Sequence, residues 1–141
     1  MKKIGFTSLI FLLCFVTYSQ YTPELKSTLK RVKEASYYDS IQLFDRGSSA
    51  INLATKLNQK GAIAEVYLYY GNYFYYIRNI DRAKSFMEKA KVTAQGYQNT
   101  HIEDLANIRL IYIDYELGIN SNGEEELNLM LQKTKELNDK Y

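Results

Sequence analysis

From Pro23 onward the apolar residues recur at intervals of three and four, with no sustained alternation of the kind a half-buried strand shows. Leu25, Leu29 and Val32 share one helical face, in a run that starts at Pro23, a residue suited to a first helical turn, and reaches about Tyr38. Asp39-Ser40 interrupts it. A second stretch, about residues 41–57, carries Ala50, Ile51, Ala54 and Leu57 along one stripe, and Gly47 weakens its beginning enough to move the start toward Ser48. Asn58-Gln59-Lys60-Gly61 reads as a turn. A third helix is expected over about 62–78, ended by Asn79. A fourth covers about 80–95, with Asp81 at its positive end and Gly96 as its stop. Thr100-His101-Ile102-Glu103 fits a capping box opening a fifth helix that reaches about Leu117. Residues 118–123 form a polar loop, and Glu124-Glu125-Glu126 opens a sixth helix that runs to the terminus.

The pattern predicts an all-α fold of six helices, about 14–18 residues each, whose short connections make neighbours antiparallel. At 141 residues the chain holds one domain. Six consecutive helices close into a bundle or stack as pairs, and internal repetition decides which.

The first nineteen residues stand apart. Lys2-Lys3 is a cationic start, residues 4–16 are uncharged and mostly apolar, and Thr17-Tyr18-Ser19 places small residues ahead of a cut at Gln20. These are the parts of a secretory signal peptide, so 1–19 is set aside and 20–141 is read as the domain. The alternative is an uncleaved anchor, although the run is shorter than the ~20 residues a bilayer-crossing helix needs. Leu13 before Cys14, the only cysteine, argues against lipoprotein processing. Export to the periplasm or beyond is the expectation, with membrane association only if the segment stays uncleaved.

Lys2 and Lys3 account for the whole net charge of +2, so the remaining chain is neutral. Interspersed charges without a basic stripe do not resemble a nucleic-acid-binding surface. Without Cys14 there is no disulfide and no thiolate metal site. The compositional oddity is tyrosine, fourteen in all.

Tyr67, Tyr70, Gly71, Phe74, Ala83, Met87 and Ala90 fall within a 34-residue window, 64–97, at a spacing that resembles the tetratricopeptide repeat family. That resemblance implies antiparallel helix pairs stacked as a short right-handed solenoid. It assigns Gly71, Ala83 and Ala90 to close helix approach, with Tyr67, Tyr70 and Phe74 wedged between helices. Burying each of those large side chains contributes roughly 1.5–3 kcal/mol. Upstream, Tyr38, Ala50, Ala54 and Leu57 lie 33 residues before Gly71, Ala83, Met87 and Ala90. Downstream, Ile108, Ile111, Tyr112 and Tyr115 repeat the first-helix spacing, followed by Leu127, Leu131 and Thr134. The approximate repeats are 24–60, 62–97 and 100–139.

Residues 66–77 read VYLYYGNYFYYI, six tyrosines in twelve residues. At 100° per residue Ile63, Tyr67, Tyr70, Phe74 and Ile77 form the core face. Glu65, Tyr69, Asn72, Tyr73 and Tyr76 fall opposite. In the resembled family that side lines a peptide groove, which makes Glu65, Tyr69, Asn72 and Tyr76 candidate ligand contacts, with Arg109 adding a cation from the next first helix. Burial of these tyrosines by neighbouring helices is the competing account.

No catalytic constellation stands out. His101 is the only histidine, no glycine-rich phosphate loop occurs, and adjacent Glu124, Glu125 and Glu126 point in different directions on a helix. Paired carboxylates brought together by folding stay open. The expectation is therefore a non-enzymatic, cofactor-free module that binds a protein or peptide. The alternative is the sensory N-terminal part of a longer membrane-bound bacterial regulator, which such repeats also resemble. The stop in helix at Lys140-Tyr141, without a polar capping tail, is what a truncated version would show.

Overall fold

The computed structural model describes residues 21–138, without the side chains of 133, 134 and 136–138. The proposed signal segment, 1–19, lies outside the described residues, as does the Thr134 side chain. Six helices follow one another: α1 Pro23–Ala35, α2 Ser40–Lys56, α3 Gly61–Tyr76, α4 Ile80–Gly96, α5 Thr100–Glu116 and α6 Gly123–Asn138. No strand occurs among the described residues, which are all-α as the periodicity predicts.

Side-chain caps start four of the helices. Thr22 Oγ1 accepts from Leu25 N, Asp39 Oδ1 from Gln42 N, Asn79 Oδ1 from Arg82 N and Asn99 Oδ1 from Ile102 N. The last corrects the expected capping box. Asn99 takes the cap position one residue early, and the Glu103 carboxylate instead accepts from Gln95 Nε2 at 2.8 Å. The first helix stops at Ala35, short of Tyr38, and Ser36, Tyr37 and Tyr38 continue as a turn.

Four helix ends share one device. Asn58, Arg78, Gln98 and Gly118, each 20 residues from the next, adopt left-handed φ of 54°, 60°, 56° and 69°. The following N–H then bonds five residues back: Gln59 to Ala54 O, Asn79 to Phe74 O, Asn99 to Ala94 O and Ile119 to Asp114 O. Gly96 is therefore not the stop expected of it. It is the last residue of α4, and the reversal falls on Gln98.

The buried positions of α2 (Leu43, Gly47, Ala50, Ala54) recur in α4 (Ala83, Met87, Ala90, Ala94) at a separation of 40 residues. The structural register is thus 40, not 33. The two differ by seven residues, two helical turns, so the slipped register lays the same apolar face over itself. Gly47 does not delay α2 either. It sits buried in mid-helix, where Tyr70 fills the space beside it.

α3 is the hub. It packs closely with α1, α2, α4 and α5, whereas the backbones of α2 and α4 make no close approach, nor do those of α1 and α6, among the described residues. One cluster joins Leu25, Leu29 and Val32 of α1 and Leu43 of α2 to Val66 and Tyr70 of α3. A second joins Ala64 and Leu68 of α3 to Met87, Ala90 and Ala94 of α4 and Ile102, Ala106 and Leu110 of α5. Tyr67, half-buried, packs against both. Phe74 and Ala83 meet Ile113 in a third. Phe86 stacks on Phe74, centroids 5.4 Å apart, and meets Tyr70 edge-on. Gly71 faces Met87, whose sulfur lies 2.9 Å from where a Cβ would stand. Ile77, expected on the core face, is instead the cap residue after α3 and is 52% exposed. In α6, Leu127 is half-buried and Leu131 exposed.

Candidate functional site

Contacts of α3 with α1 on one side and α5 on the other place these three helices side by side. On α3, Glu65, Tyr69, Asn72 and Tyr76 follow one another at steps of four, three and four, which keeps them on one stripe. Tyr73, placed on that stripe by the periodicity, packs instead toward the first and third clusters, with Phe44 and Phe74 against its ring.

Glu65 is half-buried, and its Oε1 accepts a hydrogen bond from the Tyr69 hydroxyl at 2.5 Å. Burial pushes the Glu65 carboxyl above the ordinary carboxylate range. The Tyr69 hydrogen bond and the positive charges of His101 on α5 and Lys33 on α1 act in the opposite direction. Burial and the Glu65 carboxylate together raise the Tyr69 phenol well above its usual value. Ahead of α1, Tyr21 is pushed up to about 12, chiefly by burial and then by Glu65. Its hydroxyl accepts from Asn99 Nδ2 at 2.9 Å, and the same amide donates to Gly61 O. Thr22 N donates to Gln59 Oε1 at 3.1 Å. The residues just before α1 are therefore tied to the starts of α3 and α5.

Toward the other end of α3 the face opens. Asn72 is half-buried, and its side chain makes no hydrogen bond among the described residues. Tyr76 is 49% exposed, with its ring 5.9 Å from Tyr37 and 6.1 Å from Tyr75. Tyr75 donates to Glu116 Oε2 at 2.5 Å, and Tyr112 donates to Glu116 Oε1 at 3.2 Å, joining α3 to α5. Burial and then Glu116 push the Tyr75 phenol up to about 12.

Arg109 is half-buried on α5, 40 residues after Tyr69. It forms no hydrogen bond, ion pair or ring contact among the described residues, so no such bond joins it to Glu65, Tyr69, Asn72 or Tyr76. The five candidates thus divide. Glu65 and Tyr69 are bonded to each other and partly covered, Tyr76 belongs to an exposed aromatic patch, and the side chains of Asn72 and Arg109 have no hydrogen-bond partner among the described residues.

Sequence reasoning passed over Tyr21, Lys33 and Asn99. Tyr21 abuts the segment set aside as a leader, and its partner Asn99 lies 78 residues away. The Tyr75–Glu116 pair had a usable signal, since its separation of 41 is close to the repeat length. Among the described residues no group of three or more His, Cys, Asp or Glu side chains is placed to hold a metal ion. His101 and the run Glu124, Glu125, Glu126 are exposed. Among the described residues no helix is long and apolar enough to cross a membrane. No protein-family model, curated protein or solved structure matches this chain.

Proposed function

We propose that the protein is an exported, non-enzymatic scaffold of tetratricopeptide-like helix pairs stacked as a short right-handed solenoid, and that it binds a peptide or protein segment along the face shared by α1, α3 and α5. Contacts between alternate helices α1, α3 and α5, with none between α2 and α4, are what stacked pairs make; a closed bundle would bring α1 to α6. The leader-like composition of residues 1–19 supports export.

The observation that carries the binding reading is the pair Asn72 and Arg109. Both are half-buried, neither side chain has a hydrogen-bond or ion-pair partner among the described residues, and tyrosines 75, 76 and 112 lie on the same two helices. A peptide offers those polar groups hydrogen bonds while covering the rings. The test is selection of a random peptide library on the purified protein. The expected result is an enriched sequence family whose affinity falls about ten-fold, roughly 1.4 kcal/mol, in the double variant Tyr76→Ala/Arg109→Ala. Failure to enrich any family, or unchanged affinity in the double variant, overturns the reading.

A further inference from the structure

Glu65 is a carboxylate with unfinished electrostatics. Oε1 is used by Tyr69, and no donor reaches Oε2 among the described residues. Lys33 and His101 act on it from α1 and α5, yet neither forms an ion pair with it. Among the described residues the ion pair that does form joins Lys84 of α4 to Asp114 in the last turn of α5, at 2.6 Å. Tyr69 bonds the carboxyl directly, the Glu65 charge reaches Tyr21 and raises its phenol, and Tyr37 acts likewise on Tyr69.

We propose that Glu65, Tyr69 and Tyr21 form a subsite for a protonated amine or guanidinium, the head of a lysine or arginine side chain on a peptide lying along the α1/α3/α5 face. This rests on the peptide-binding reading above and names the partner's chemistry at one end of that face. A partly desolvated carboxylate with one open oxygen gains more from a cation than one in free water. Phenol rings beside it add their quadrupole to the attraction. An anionic side chain would meet Glu65 with like charge. An apolar one would strip the remaining water from the carboxylate and return no hydrogen bond.

The test titrates the purified protein, by NMR at pH 7.5, with Nα-acetyl-lysinamide and Nα-acetyl-argininamide. The uncharged Nα-acetyl-norleucinamide serves as control. Both cations are expected to bind saturably in the millimolar range, about five-fold or more tighter than the norleucine compound. That comparison needs no variant. Glu65→Gln keeps an acceptor for Tyr69 and should weaken both cations to the norleucine level without lowering the Tm. Tyr69→Phe, which frees Oε1, should leave them within about two-fold. Equal binding of norleucinamide, or cation binding indifferent to Glu65→Gln, overturns the proposal. If library peptides still bind through Tyr76 and Arg109 but ignore Glu65→Gln, the cation subsite falls and the binding face stands. If no peptide binds either, both fall.

Discussion

Tyr70 occupies the volume that a β-carbon on Gly47 would need: its hydroxyl oxygen lies 2.0 Å, and its Cζ 2.6 Å, from where that carbon would stand. The ring cannot swing clear, because it is buried with Phe44, Tyr67 and Phe86 around it. Gly47→Ala should therefore destabilise by about 1–3 kcal/mol despite alanine's better helix propensity. In a Tyr70→Phe background, with the nearest atom gone, the cost should shrink by about 1 kcal/mol. Denaturant melts of the four proteins of this double-mutant cycle check it; additive costs would place the clash elsewhere.

Ala83 is fully buried and packed with Phe74 and Ile113. Leucine there would force α3, α4 and α5 apart. Ala83→Leu should lower stability by about 1–3 kcal/mol, read from the same melts. An unchanged melting curve would mean the helices do not approach closely at this point.

Arg78 and Gln98 hold left-handed backbone with side chains that disfavour it. Arg78→Gly and Gln98→Gly should each stabilise by about 1 kcal/mol, whereas Gly118→Ala, at φ 69°, should destabilise by a similar amount. Thermal melts showing the opposite signs would contradict the assigned helix ends.

These same positions show what the sequence could and could not reveal. Leu25, Leu29 and Val32 disclose α1 because burial of one helical face imposes its period on the residues. Gln98 discloses nothing, since the main chain there is driven left-handed by the shared turn, and Gly96 two residues earlier is a false lead. Ala50 and Ala54 fit two registers because a slip of two turns preserves a helical stripe. Of the proposed binding face, the α3 stripe could be read from spacing. Lys33 and His101 could not be linked to Glu65, because three separate helices bring them together.

Burial raises the folded-state pKa of Glu65, so the protonated form is favoured by folding. Stability from this group is fully present below the ordinary glutamate pKa, near 4.3, and is lost as pH rises through the raised value. Around the carboxyl stand Lys33, His101, Tyr69 and Tyr21. Glu65→Gln removes the cost of the buried charge, so its Tm should exceed that of the parent at pH 7, and the gap should close by about pH 4. A parent more stable than the variant at pH 7 would show that Lys33 and His101 outweigh burial.

Site-specific photo-crosslinking reads directly which surface meets a partner. A benzophenone side chain placed at Asn72 or Arg109 should couple to a library-selected peptide on irradiation, whereas one at the exposed Val92 of α4 should not. Coupling from Val92, with none from 72 or 109, would put the partner on the opposite layer and contradict binding along α1, α3 and α5.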